Sequence, residues 1–317
     1  MGLVLRIRFF LTMFVALSIP SFSCDAQVLQ QSYSPYTDRA NKPQPMPLSD
    51  RLAVEVVLNR PVLGIEAPDT SAIAGMMGGL TGGIGGVVAA MASGDGADIG
   101  SNSPDGKRIA RLRAHLGDYD FNHAIEKSIR SKIASPGISP DPMIAALENP
   151  LGTTGSPVPA AFATHVLMIY PSYVIDYRYD RVKVVLFVRV MDRRLNSKGR
   201  IVADVSFRRT YSSAFLIEDG SDDENVDRWL SLSTEQLRSL FDRASEQAVD
   251  MLVHDFSEAG RREWKRHSEK KSARLRGSVF PGLPIRQDEN MVWVRSGTRL
   301  QWIEGFEFLE IPKAAVR

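Results

Sequence analysis

Val182-Lys183-Val184-Val185-Leu186-Phe187-Val188-Arg189-Val190, then Asn196-Ser197-Lys198-Gly199, then Ile201-Val202-Ala203-Asp204-Val205-Ser206-Phe207 is the stretch that decides the fold. Two β-branched runs flank a turn in which Asn and Gly tolerate positive φ, so the segment predicts an antiparallel hairpin. In the second run Val202, Asp204, Ser206 and Arg208 differ in character from Ile201, Ala203, Val205 and Phe207. That alternation predicts one wet face and one packed face. Upstream, Thr164 to Ile169, continued past Pro171 as Tyr173 to Tyr177, reads as a third strand of the same meander.

Downstream, Ser233 and Gln236 form a capping-box pattern, and Leu237, Leu240, Phe241, Ala244, Ala248, Met251 and Leu252 make one apolar stripe at helical spacing. A helix here is expected to cover the sheet. Earlier, Leu52 to Leu58 has the composition of a strand ended by Pro61 and Gly64. Phe121, Ala124, Ile125, Ile129 and Ile133 follow a helical period, preceded by turns carrying Ile109, Leu112 and Leu116 and interrupted near Gly117. The Pro- and Gly-rich span 135–159 reads as a surface excursion, and the acidic run Glu218 to Asp227 as a loop. Near the end, Met291 to Val294 and Arg299 to Ile303, around Ser296-Gly297, predict a small terminal hairpin. The fold class expected is α+β: a mixed or antiparallel sheet covered by helices, with an inserted Gly-rich apolar helix or hairpin and a small C-terminal β extension. The domains expected are a signal peptide at 1–23, a tether at 24–50, an α/β domain at 51–260 with the insert at about 70–94, and a basic linker with a hairpin at 261–317.

The chain has 317 residues, 39 Lys plus Arg, 37 Asp plus Glu and a single cysteine. One cysteine excludes an intrachain disulfide and multi-thiolate metal sites. Arg6 and Arg8, the apolar run Phe9 to Ile19, Pro20 and then small residues are laid out as a secretory signal peptide. Removing residues 1–23 takes away two basic residues and no acid, leaving 37 against 37. A neutral mature chain argues against nucleic-acid binding.

Ser21-Phe22-Ser23-Cys24 resembles the lipobox of bacterial lipoproteins, although the box usually opens with Leu and here has Ser21. The resemblance implies that Cys24 becomes a diacylated N-terminus at a bacterial membrane, and that Asp25 after it acts as an inner-membrane retention signal. Ordinary cleavage after Ser23 or Ala26 is the alternative. Either way the protein is expected to be exported to the periplasmic face of a bacterial membrane, inner or outer.

Between Asp69 and Asp95 the chain is free of charge for about 25 residues, the length of a bilayer-spanning helix. Gly75, Gly79 and Gly83 repeat every four residues, and Ala74, Gly78, Gly82, Gly86 and Ala90 form a second such row. Small residues at that spacing let another backbone approach closely, which suggests membrane association or self-association. Each glycine in a helix costs roughly 0.8–1 kcal/mol relative to alanine, so a flexible Gly-rich loop is the competing reading.

No catalytic, cofactor-binding or metal-ligating residues are assigned. The histidines His115, His123, His165, His254 and His267 are never paired at metal-ligand spacing. His254-Asp255 is read as charge at a helix C-terminus rather than an acid/base dyad. The run Asp219 to Glu224 lacks the glycine and glutamate that an EF-hand needs, and the glycines form neither a Walker loop nor a dinucleotide fingerprint. The basic segment Arg261 to Arg276 contains Glu263 and Glu269 and reads as a solvated helix extension or linker, with contact to anionic lipid heads as the functional option.

The order strand, Gly-rich insert, helix, three meandering strands and covering helix, over roughly Leu52 to Phe256, resembles the α/β domain of bacterial envelope proteins such as the curli-secretion lipoprotein CsgG and the N-terminal domain of TolB. It also resembles uncharacterised proteobacterial envelope lipoproteins, carried here by the insert and by Tyr173-Val174-Ile175-Asp176-Tyr177 and Arg181-Val182-Lys183-Val184. The resemblance implies a non-enzymatic envelope role in partner binding, assembly or an oligomeric complex. The long barrel-forming hairpins of the curli protein have no counterpart in this sequence. A periplasmic hydrolase without a recognisable motif is the rival expectation.

Overall fold

The computed structural model describes residues 52–58, 62–66, 103–134, 138–139, 141–147, 165–195, 197–198, 201–218, 220–264, 266 and 271–308. All of them fall in one compact unit, Ser32–Arg317. The first half runs β1 (Leu52–Val57), β2 (Gly64–Glu66), α1 (Pro104–Leu116), α2 (Phe121–Lys132), β3 (Met143–Leu147) and β4 (His165–Asp176). Next come β5 (Arg181–Leu195), β6 (Ile201–Leu216), α3 (Asp222–Ser231), α4 (Thr234–Asp255) and α5 (Glu258–Trp264). The chain then adds β7 (Ser272–Leu275), β8 (Ser278–Pro281), β9 (Leu283–Gln287), β10 (Met291–Ser296) and β11 (Arg299–Gly305).

The architecture is α+β with a mixed nine-stranded sheet in the order β3-β1-β4-β5-β6-β11-β10-β9, and β2 pairs with β4 beside that path. β4, β5 and β6 form the antiparallel meander that their β-branched runs predict. β1 pairs in parallel with both β3 and β4, which encloses it and explains why all six of its residues are buried. β1 lies along the first half of β4, up to Ile169, and β2 along the second, from Val174. Pro171 falls in the gap between them, where β4 has no parallel partner among the described residues.

The helices lie on one face. Leu237, Leu240, Phe241, Ala244, Ala248, Met251 and Leu252 of α4 are all buried, against Val184, Leu186, Val188 and Phe215 of the sheet. The expected stripe is therefore the core stripe. α1 adds Ile109, Leu112 and Leu116, and α2 adds Phe121, Ile125 and Ile129. The break between α1 and α2 falls at Gly117, whose φ of 61° suits a residue without a Cβ. On the opposite face the β7–β8 hairpin packs Ala273, Leu275 and Phe280 against Ala214, Leu216, Val292, Val294 and Ile303.

Two local expectations need correction, and two others gain a setting that the sequence did not show. The acidic run is not all loop: Asp222–Ser231 is α3, begun by a capping box in which Ser221 and Glu224 exchange bonds. Its acids sit at the positive end of the helix dipole, and Asp222, Asp223 and Asp227 pair with Arg108 and Arg111 of α1. The excursion at 135–159 contains β3, which joins the sheet through a parallel pairing with β1 that local sequence does not announce. The terminal hairpin forms as β10 against β11, and it extends the main sheet, because β11 pairs in parallel with β6 and β9 follows on β10. The basic segment, read as a helix extension or linker, supplies the last turn of α5 and, beyond that reading, the strand β7.

Candidate functional site

Alternation along β6 turns Phe207, Arg209, Tyr211, Ser213 and Phe215 toward the helices, which places one arginine among aromatic residues in the core. On β10 the same parity places Arg295 inside, and it is 0% exposed. Two buried guanidinium groups require anions, because an unpaired buried charge is prohibitive. Asp255, the last residue of α4, supplies the first. Its Oδ1 accepts from Arg295 Nη2 at 2.7 Å, and its Oδ2 accepts from the Tyr211 hydroxyl at 2.9 Å and faces Arg209 Nε at 3.5 Å. Glu263 of α5 supplies the second, 3.7 Å from Arg295 Nη2.

α5 reaches this position through Gly260, which packs against the backbone of His254 and Asp255. It lays the Trp264 ring 3.7 Å from the Arg209 guanidinium carbon, with Phe207 at 4.4 Å. Burial lowers the Arg209 pKa, opposed by Asp255. Burial, with Asp255 adding to it, drives the Tyr211 phenol well above its usual range. Two cations meet two anions, and both Asp255 oxygens are engaged, so the carboxylate ties α4, β6 and β10 together. The sequence reading of His254-Asp255 as charge at a helix C-terminus is extended by these contacts. Asp255 is the hub of a buried network, and His254 turns away to bond Glu263 through Nε2 at 2.9 Å.

A second cluster closes the β4–β5 turn. The Arg181 guanidinium lies between two carboxylates, with Nη2 2.7 Å from Asp176 and Nε 3.1 Å from Asp180. Burial and the neighbouring Asp180 push the Asp176 carboxyl up to about 6, although Arg181 opposes the shift. The turn is held by Tyr179 at φ 59°, whose carbonyl accepts from Trp229 Nε1 at 2.8 Å and whose hydroxyl donates to Asp105 at 3.1 Å.

An open groove of about 570 Å³ follows the α1–α2 turn, lined by Leu58, Asp118, Tyr119, Asp120, Asn122, His123 and Glu126. Of its lining residues, Tyr119 also belongs to a ring cluster in which Phe121 packs against Tyr119, Tyr173 and Phe241. Its carboxylates are occupied: Asp118 pairs with Arg238, Asp120 caps α2, and Glu126 pairs with Arg130. Among the described residues no group of three or more His, Cys, Asp or Glu is placed to hold a metal ion.

Cys24 and the glycines Gly75, Gly78, Gly79, Gly82, Gly83 and Gly86 lie outside the described residues. Among the described residues no helix is long and apolar enough to cross a membrane. Local sequence missed the arginine network because its members come from β6, α4, α5 and β10. The one available signal was an arginine at an inward position of each strand.

No protein-family model matches the chain, and no curated protein matches it. Among solved structures it is similar to a Helicobacter pylori protein named as a neuraminyllactose-binding hemagglutinin homolog. The match has 9% sequence identity, covers 71% of this chain and 91% of that one, and has a TM-score of 0.19. A likeness at that score supports neither a shared fold nor a shared function.

Proposed function

We propose that this chain is a non-enzymatic cell-envelope protein: exported, held at the periplasmic face of a bacterial membrane, and acting in assembly or as an accessory to a protein partner. The observation that carries the reading is the leader from Arg6 to Ser23 running directly into Cys24, the only cysteine of the chain. The charge-free segment 70–94, with Gly75, Gly78, Gly79, Gly82, Gly83 and Gly86 in rows of period four, supports a second contact with lipid or with another copy of the chain. The two buried charge clusters fit the same reading, since each carboxylate is engaged by arginine and stiffens a body suited to presenting surfaces.

Metabolic labelling with a palmitate analogue tests the anchor. Label is expected on the intact chain and absent from Cys24→Ala; label that survives the substitution, or its absence from both, removes lipidation. Deleting Ala72 to Met91 from the unlipidated variant is expected to release it from carbonate-washed membranes. If the undeleted variant washes off as readily, the insert does not hold the membrane. Crosslinking in intact cells then reports partners and self-association together.

A further inference from the structure

The two edges of the sheet are unlike. β9 carries Pro284, Arg286 and Gln287, and its pairing with β10 shifts register at Trp293/Val294. Proline, charge and irregularity are the features that stop an edge from recruiting another strand. β3 at the other edge reads Met143-Ile144-Ala145-Ala146-Leu147, without charge or proline, and Met143 is 41% exposed. One strand inward, Glu55 of β1 stands in register with Ala145. Register neighbours in a sheet project to the same face, so the small Ala145 side chain stands between Glu55 and the edge that β3 forms among the described residues. Glu55 is 1% exposed, and its Oε1 accepts no hydrogen bond among the described residues. Burial raises its pKa, and the Arg193 guanidinium draws it back.

We propose that β3 is a docking edge for an extended segment of a partner protein, which adds a strand outside β3 and lays a lysine or arginine over Ala145 to reach Glu55. Main-chain bonds along the edge supply affinity, and the Glu55 acceptor supplies the choice of side chain. Two strand spacings, about 10 Å, separate such a segment from β1, which is within the joint reach of a lysine and a glutamate. Asp141, exposed just ahead of β3, adds to the preference for a basic segment. A second copy of the chain fits the edge poorly. Five paired residues bury far less than the roughly 800 Å² per partner of a stable interface, whereas one extended peptide needs no more. This inference rests on the assembly reading for the existence of a partner and names that partner's chemistry.

The test uses the purified intact chain and two blocked peptides, Thr-Val-Lys-Val-Thr and the same peptide with norleucine in place of lysine. The lysine peptide is expected to bind roughly tenfold tighter, as one charge-assisted hydrogen bond provides, and to slow amide exchange at residues 143–147. Glu55→Gln is expected to bring the two peptides to equal affinity. Ala145→Lys, which supplies the cation from within, is expected to do the same in a chain that keeps Glu55. Equal binding of both peptides to the unaltered chain, no binding, or a lysine preference that survives Glu55→Gln in a folded protein overturns the proposal. Failure of Cys24 labelling sinks the lipoprotein reading without touching the peptide result, so the two failures are distinguishable.

Discussion

Arg295 donates from Nη2 to Asp255 Oδ1 across 2.7 Å, with the two side chains 0% and 4% exposed. Asp255→Ala leaves Arg295 and Arg209 buried without this anion and is expected to destabilise the fold by about 3–5 kcal/mol. The double variant Asp255→Leu with Arg295→Met is expected to recover only the part of that loss owed to Arg295, because Arg209 stays buried without its anion. Urea unfolding midpoints of the three proteins decide the matter. A double variant no more stable than Asp255→Ala contradicts the expectation.

Gly260 sets how closely α5 approaches α4. A Cβ at this position would lie 2.3 Å from the His254 carbonyl oxygen, inside van der Waals contact with fixed backbone. Gly260→Ala is therefore expected to push α5 outward and to lift Trp264 from Arg209, with a stability loss of roughly 1–3 kcal/mol, as overpacking generally costs. Thermal unfolding measures the loss, and hydrogen exchange at residues 258–264 reports the displacement. An unchanged profile for both would show that the helix ends are not in such close contact.

Asp176 is expected to make stability fall as pH rises through the acidic range. Its carboxyl sits at about 6 in the folded chain against an ordinary 3.8, so between these values the native state holds a proton that the unfolded state has released. The contribution is complete below the lower value and lost above the upper one. Asp176→Asn does not titrate and is expected to flatten this part of the stability profile. A variant profile parallel to that of the unaltered chain between pH 4 and 6 would assign the dependence to another group.

Trp229 is buried, and its indole N–H satisfies the Tyr179 carbonyl at the β4–β5 turn. Trp229→Phe keeps an aromatic ring but leaves that acceptor without its donor, with an expected loss of about 1–3 kcal/mol. Tyr179 is held at positive φ, so the loss is expected to concentrate there, as faster amide exchange at residues 177–181. Uniform exchange across the sheet would point to a general packing defect.

What the sequence made legible was whatever repeats at short range. Alternation marked β4, β5 and β6, and the stripe from Leu237 to Leu252, opened by Ser233 and Gln236, marked α4. The Ser221 and Glu224 pair is a capping box of the same kind, but the acids around it resembled solvent loop, and only Val226 and Trp229 signal the buried side of that short helix. β3 was hidden because its stability comes from β1, some 90 residues earlier by register, and five uncharged residues between prolines have no period of their own. The partners of Asp255 illustrate the same limit: Tyr211 is 44 residues away in sequence and Arg295 is 40. The lipobox-like Cys24 and the glycine rows, which carry the functional reading, lie outside the described residues.

The position of β11 governs when the fold can be completed. It lies between β6 and β10, so the hydrogen-bonding edge of β6 at residues 210–216 stays bare until residues 299–305 have arrived. A chain threaded through a membrane from its N-terminus thus delivers a long, unsatisfied strand well before the strand that covers it. Such an edge recruits any neighbouring backbone. The export proposed above would therefore favour a holding factor at the exit site, or translocation faster than β6 can find a foreign strand.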